Sequence, residues 1–309
     1  MITVRDTSAR HRRHGPGGAS YAPSVPSPSD PGAAAARLTG ASAHRTRPLS
    51  GALTEAALAD GRVVIVKRDD RPGAVRAEAA GLRWLGDARA VRVPVVYGHD
   101  DRWLVSERVA TGAPAPGAAL RLGRALAALH RAGAPAFGAP PPGGPEAAFI
   151  GGAPMRNTPG REWPAWYAEH RVLPYLRAAV DAGTVRSAEA AVVERVCARL
   201  PALAGPAEPP ARLHGDLWHG NVLWGTDGHA WLIDPAAHGG HRETDLAMLE
   251  LFGCPFLDRV HEGYDEIAPR EHGWPGRVGV HQLFPLLVHA VLFGRAYAEQ
   301  ALAIARRVP

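Results

Sequence analysis

Of the 35 cationic side chains in this 309-residue chain, only Lys67 is a lysine; every other one is arginine. Lys67 closes an unbroken apolar run, Val63-Val64-Ile65-Val66, so one compact ammonium sits at the end of a buried strand. Asparagine is nearly as scarce, occurring only at Asn157 and Asn221. A chain rich in Ala, Gly, Pro and Arg excludes both residue types by composition. A position that keeps Lys against that bias asks for a point charge that a planar guanidinium does not replace. Asn221 closes the segment His214-Gly215-Asp216-Leu217-Trp218-His219-Gly220-Asn221. The fold must accommodate both an early strand ending in Lys67 and this later polar loop.

The length suits one large domain or two lobes, and an apolar fraction of 46% supports a full core. No stretch reads as an uninterrupted apolar run of membrane-spanning length, and no apolar segment follows the Arg- and His-rich N-terminus as a signal peptide requires. Cys197 and Cys254 are the only cysteines and have no metal-type spacing; they are expected to be buried, inert thiols in a reducing cytosol. The net charge of +5 comes without a basic block interleaved with aromatics, so nucleic-acid binding is not expected.

Residues 1–31 are Ser, Pro, Gly, Arg and His without apolar periodicity and are expected to be a disordered tail. Asp30-Pro31 reads as an N-cap with proline at the first helical position, opening a short helix through Leu38 that Gly40 ends. Leu53–Leu58 and Val63–Lys67 flank Asp60-Gly61, a hairpin signal. Residues 73–86 have helical periodicity and carry Glu78. Residues 93–97 and 103–109 read as two further strands, and 117–132 as a helix. After a Pro/Gly-rich loop at 133–145 the pattern turns helical, over 161–180, 186–203, 243–251 and 280–306, interrupted by a β-like island at 211–234. The expected class is α+β and two-lobed: a small antiparallel-sheet lobe with one inserted helix over 32–110, then a larger, mostly helical lobe over 111–309.

Three elements carry chemistry. Lys67 at a strand end and Glu78 eleven residues later on a helix can form an ion pair that orients the ammonium toward nucleotide phosphates. The spacing H-G-D-x-x-x-x-N over 214–221 supplies Asp216 as a base for an incoming hydroxyl, and Asn221 as an oxygen ligand for Mg²⁺, a hard cation. The apolar run Trp231-Leu232-Ile233 then delivers Asp234, a second metal ligand, ahead of Pro235-Ala236. A phosphate-orienting cation, oxygen ligands for a metal and a base are the parts that phosphoryl transfer needs. Other chemistries lack their signatures. His219, His229, His238 and His241 show no zinc spacing and read as loop and core residues. Ser50, Ser106 and Ser187 lie in no G-x-S-x-G elbow, and no G-x-G-x-x-G follows a strand.

The segment Leu213–Gly253, with L-H-G-D-L-W-H-G-N, I-D-P-A and G-H-R-E-T-D-L-A-M-L-E-L-F-G, resembles the fructosamine (ketosamine) kinase family of the protein-kinase-like superfamily. F-I-G-G-A-P-M-R-N at 149–157, E-W-P-A-W-Y-A-E-H-R-V-L-P at 162–174 and Q-L-F-P-L-L-V-H-A-V-L-F-G at 282–294 extend the likeness, which covers roughly 33–306. The resemblance implies ATP and Mg²⁺ and phosphorylation of a sugar hydroxyl, usually the 3-OH, on a ketoamine borne by a protein or small amine. The phosphate ester then decomposes and frees the amine. It assigns Asp216 as base, Asn221 and Asp234 to metal, Lys67 and Glu78 to the ATP phosphates, and Glu107 to Val109 as the adenine hinge. Trp218 and His289 are candidates for the sugar pocket, the indole as a stacking face and the imidazole as a hydroxyl partner. Glu243 and Asp245 are expected to brace the catalytic loop, and Trp163 and Trp166 to pack helices.

The family's glycine-rich segment is reduced here to Ser50-Gly51-Ala52, with Gly51 left as the backbone contact to ATP and no cysteine for a disulfide-linked dimer; a cytoplasmic monomer is expected. Two alternatives stay open. An aminoglycoside or choline-type kinase would carry a late acidic cluster, whereas Glu299 is the sole acid after residue 276. A non-catalytic pseudokinase would fit the shortened glycine segment.

Overall fold

A computed structural model describes residues 30–308. The tail expected at 1–31 lies almost wholly outside the described residues. The chain enters through helix α1, Pro31–Thr39, where the Asp30 carboxylate accepts hydrogen bonds from the amides of Gly32 and Ala33 and Gly40 ends the helix, as the sequence signals require.

Five strands follow: β1 (Ala43–Ser50), β2 (Leu53–Leu58), β3 (Val63–Arg68), β4 (Val96–His99) and β5 (Trp103–Glu107). They form one antiparallel sheet in the order β1-β2-β3-β5-β4. Helix α2, Ala74–Asp87, is inserted between β3 and β4. Val64 and Val66 face the sheet's core, so the two-residue period of β3 turns Lys67 to the opposite side. Strand β1 was not legible in the sequence. It is an edge strand, exposed along nearly all of its length, and Ala-His-Arg-Thr-Arg-Pro carries no apolar alternation.

The rest is mostly helical: α3 (Pro116–Arg131), α4 (Trp163–Tyr167), α5 (Leu173–Asp181), α6 (Ser187–Leu203), α7 (Arg242–Leu251), α8 (Leu257–Ile267), α9 (Trp274–Phe293) and α10 (Arg295–Arg307). One π-helical stretch, Ala168–Val172, joins α4 to α5. Small hairpins interrupt the helices: β6 (Ala147–Ile150) with β7 (Ala153–Arg156), and β9 (Val222–Trp224) with β10 (Ala230–Leu232). Strand β8 (Ala211–Leu213) pairs with β11 (His238–Gly240). The α+β, two-lobed plan is borne out.

Two boundaries differ from expectation. The helix read over 280–306 starts earlier and is two helices, broken at Gly294. The strand read over 93–97 pairs only from Val96, after Pro94, which has no amide to donate to a ladder. Helix α8 and the β6–β7 hairpin were not anticipated.

Helix α9 is long and apolar enough overall to cross a membrane, although it is not an uninterrupted apolar run, since Arg277, His281, Gln282 and His289 break it. Its packing assigns it to the core: Leu283, Phe284, Leu286 and Leu287 are fully buried among α4–α6 and α10. It also carries buried Arg277, His281 and Gln282, whose partners are Glu243, Thr244 and the Ala247 carbonyl of α7. Trp163 packs in the same core, its ring stacked on Tyr167 and His281.

Candidate active site

The loop between β8 and β9 is shaped by one buried carboxylate. Asp245 of α7 accepts the His214 amide at 2.8 Å and the Gly215 amide at 2.9 Å, and lies 3.2 Å from His130 Nε2. Burial pushes the Asp245 carboxyl upward, but His130 and these amides outweigh it and hold the group below its usual range. His214 Nδ1 accepts the Asp216 amide, and its Nε2 donates to the Ile233 carbonyl at 2.9 Å. The imidazole therefore ties the loop to the strand end that delivers Asp234. Gly215 sits at φ +82°, and a Cβ there would lie 2.1 Å from the Ala236 carbonyl oxygen. Only glycine fits between loop and strand end.

Of the two acids expected to brace this loop, Asp245 does so. Glu243 does not: it is fully buried and accepts both Nε and Nη2 of Arg277, with His281 Nε2 at 3.3 Å. It ties α7 to α9 instead. His241 and His281 lie close enough to Glu243 to suggest a metal group, but the guanidinium already occupies that carboxylate.

Asp216 is 9% exposed, and burial pushes its carboxyl up to about 7, with nearby Asp234 and Asp245 adding to the rise. Asn221 Nδ2 donates to the Asp216 carbonyl at 2.8 Å and to its carboxylate Oδ2 at 3.1 Å. The amide's nitrogen is thus committed to the loop, leaving its oxygen as the donor atom suited to a hard cation. Asp234 is exposed to the cavity at φ +51°, a left-handed conformation uncommon outside glycine and frequent at functional sites.

The two lobes meet at Lys67. Its Nζ lies 2.8 Å from Glu78 Oε2 and 2.8 Å from Asp234 Oδ1. Burial lowers the ammonium's proton affinity, but the two carboxylates outweigh it, so Lys67 stays charged. Burial raises the Glu78 carboxyl to about 7, and the nearby Asp234 carboxylate adds to the rise against the opposing pull of Lys67. The helix bearing Glu78 reaches the Asp234 segment through Gly81, where a Cβ would stand 3.1 Å from Pro235.

These groups line one cavity of about 740 Å³. Lys67, Glu78, Asp216, Trp218, Asn221, Asp234 and His289 all border it. Gly51, Glu107 and Val109 do not. Gly51 lies in the tight turn between β1 and β2 at φ +48°, with open space around it. Glu107 ends β5, where its amide bonds the Val95 carbonyl and its carboxylate accepts the Val95 amide; Val109 follows where the chain leaves the sheet. Sequence reasoning missed Asp69, Arg71, Phe149, Phe252, Phe293 and Tyr297 as lining residues. They come from five separate places in the chain, and only the tertiary arrangement joins them. Cys197 is half-buried rather than buried and Cys254 is buried; burial pushes both thiols up to about 11, which keeps them unreactive.

This arrangement has counterparts. The family model described as fructosamine kinase matches residues 36–308. The chain belongs to the fructosamine kinase family. A crystal structure from Thermobifida fusca, named for fructosamine-3-kinase, is 50% identical with a TM-score of 0.84, covering 90% of this chain and 98% of that one. A Thermus thermophilus protein named a probable ketoamine kinase is 39% identical across 76% of this chain and 82% of its own length. The chloroplastic protein-ribulosamine 3-kinase of Oryza sativa subsp. japonica is 30% identical, covering 79% of this chain and 72% of its own length. This fructosamine kinase family member is accordingly a kinase of the protein-kinase-like fold.

Proposed function

We propose that the chain is an ATP- and Mg²⁺-dependent ketoamine kinase that phosphorylates the 3-hydroxyl of a fructosamine- or ribulosamine-type sugar. The observation that carries this reading is the meeting of Lys67, Glu78 and Asp234 with Asp216 and Asn221 at one cavity. The donor set suits Mg²⁺: a carboxylate on Asp234 and an amide oxygen on Asn221, both hard oxygen ligands. Bound MgATP supplies the transferable γ-phosphoryl group. Lys67, oriented by Glu78, neutralises phosphate charge. Asp216 accepts the proton of the sugar hydroxyl as that oxygen attacks, and Asn221 holds the Asp216 carboxylate in place.

Trp218 and His289 border the cavity beyond Asp216 and serve as the sugar-facing residues. Gly51, Glu107 and Val109 stand outside this cavity, and a role for them in ATP binding requires the nucleotide to extend beyond it along the sheet. The 3-phosphate then decomposes to release the amine, so the reaction reverses glycation. Unpaired thiols at Cys197 and Cys254 suit a cytosolic enzyme, and no cysteine lies in the β1–β2 turn to link a dimer, so the reading is of a monomer. A pseudokinase is disfavoured by the intact set of Lys67, Asp216, Asn221 and Asp234.

The deciding experiment measures ATP consumption with fructosyl-lysine, ribulosyl-lysine, a free hexose, choline and kanamycin. Turnover confined to the ketoamines, and lost in Asp216→Asn, supports the reading. Turnover of choline or kanamycin alone replaces it with another small-molecule kinase, and ATP binding without any turnover replaces it with a pseudokinase.

A further inference from the structure

The cavity has two unlike ends. Among the described residues four acids line it, Asp69, Glu78, Asp216 and Asp234, and all stand at the Lys67 end. The other end is a wall of rings with no carboxylate among the described residues that line it. His289 is its centre, with ring centroids 4.9 Å from Phe252, 5.4 Å from Phe293 and 5.0 Å from Tyr297. Phe252 also meets Trp218 edge-on at 6.2 Å, which carries the wall inward toward Asp216. Three elements build it: the residue after α7, the last turns of α9 and the first turn of α10. The break at Gly294 folds the last two together, bringing Phe293 and Tyr297 to 5.9 Å.

The orientation of these rings is set from within. His289 Nδ1 donates to the Pro285 carbonyl at 2.7 Å, which fixes the imidazole plane, and burial lowers the ring's basicity so that it stays neutral. At the cavity mouth Phe293 is 65% exposed, a large apolar ring left in water where the wall ends. A substrate with its reacting hydroxyl at Asp216 must extend away from the Lys67 end, which ATP phosphates fill. What it extends over is this wall.

We propose that the rings packed around the sugar-facing His289, those of Phe252, Phe293 and Tyr297, form the subsite for the amine substituent of the ketoamine, and that this subsite selects aromatic and alkyl substituents over charged ones. The inference rests on the ketoamine kinase reading above. A flat apolar group stacks on such rings and removes them from water, whereas a cationic substituent loses hydration there without gaining a counter-charge, and an anionic one meets an Arg71 that Asp69 already pairs. Discrimination thus comes from favouring one class and penalising the other.

The test is steady-state kinetics on fructose and ribulose adducts of methylamine, butylamine, benzylamine, 1,4-diaminobutane and taurine, the last two being cationic and anionic. The expected result is a kcat/KM for the butyl and benzyl adducts about tenfold or more above that of the methyl adduct, expressed mainly in KM, with no such gain for the charged pair. In Phe293→Ala and Tyr297→Ala the benzyl-to-methyl ratio is expected to fall toward one; the exposed position of Phe293 makes its variant the one sure to fold. A benzyl-to-methyl ratio near one in the unaltered enzyme, or a ratio retained in both variants, overturns the subsite while leaving the ketoamine reading intact. Absence of turnover on every adduct overturns the ketoamine reading, and the subsite with it.

Discussion

Lys67 Nζ stands 2.8 Å from Asp234 Oδ1, so one ion pair joins the end of β3 to the loop that follows β10. The same ammonium holds Glu78 at 2.8 Å. Two carboxylates on one cation leave a net negative site, a setting that a divalent cation on Asp234 would neutralise. Lys67 would then be released to contact phosphate.

On the proposed role of Lys67, arginine, the residue that the chain uses everywhere else, is not expected to replace it. Lys67→Arg is expected to lower kcat/KM for ATP by about 10²–10³-fold, close to the effect of Lys67→Ala, because a planar fork cannot sit between two carboxylates and a phosphate as a point charge does. Steady-state kinetics on the two variants check this. Near-normal turnover in the arginine variant would mean that the scarcity of lysine is compositional accident.

Gly215 admits no side chain. Its φ of +82° and the 2.1 Å approach of a Cβ to the Ala236 carbonyl predict that Gly215→Ala costs about 2 kcal/mol or more and displaces Asp216. Urea unfolding measures the first effect and turnover the second; a variant with unchanged midpoint and rate would show that the loop relaxes freely.

The site was more legible than the fold around it, and the reason is locality. Asp216 and Asn221 are read from spacing because one short loop holds both, and Asp234 because an adjacent apolar strand delivers it. Lys67 and Glu78 follow from a strand and a helix with clear periods. Phe252, Phe293 and Tyr297 carry no such local mark: each reads as an ordinary core residue until the break at Gly294 and the end of α7 place them side by side. Glu243 misled for a related cause. Its position two residues before Asp245 suggests a shared role, but on α7 that offset turns it to another face, toward Arg277. Strand β1 stayed hidden because an edge strand need not alternate apolar and polar residues.

The Arg277–Glu243 pair makes a stability prediction. Glu243 is fully buried and Arg277 nearly so. Truncation to Arg277→Ala strands a buried carboxylate and is expected to cost about 3–5 kcal/mol, while the double variant Glu243→Gln, Arg277→Met recovers much of the loss. Chemical denaturation of the three proteins tests this, and equal destabilisation in the single and double variants would argue against an uncompensated charge as the cause.

Arg71 bridges the lobes at the cavity's edge. Its Nη1 donates to the Gly151 carbonyl at 2.8 Å, its guanidinium lies 4.4 Å from the Phe149 ring centroid, and Asp69 fixes its other face. Arg71→Ala is expected to loosen the β6–β7 hairpin, raising KM for the ketoamine several-fold while changing stability by less than about 1 kcal/mol, as for other partly exposed pairs. Arg71→Lys should not restore KM, since an ammonium reproduces neither the fork nor the stacking. A loss confined to melting temperature would assign Arg71 to stability alone.

Asp216 ties activity to pH. Its folded-state carboxyl is raised to about 7 by burial, above the ordinary value near 4 that an unfolded chain shows. As a base it must be ionised, so kcat/KM should rise with pH along an acid limb near 7 when MgATP is limiting. The limb should move lower when MgATP saturates, because a cation beside Asp234 favours the Asp216 carboxylate. Stability runs the opposite way. A raised pKa means that the folded state holds a proton more tightly than the unfolded one. The contribution is therefore fully present below pH 4 and is lost as pH climbs through 7. Asp216→Asn removes the titrating charge while keeping the shape. It should lower turnover by about 10²–10⁴-fold and yet be more stable than the parent at pH 8, by roughly 1–3 kcal/mol, with the advantage shrinking toward zero near pH 4. Thermal melts at pH 4, 6 and 8 on both proteins, beside a pH–rate profile of the parent, decide it: a stability difference independent of pH would mean that Asp216 titrates at its ordinary value, and a flat acid limb would remove it as the base.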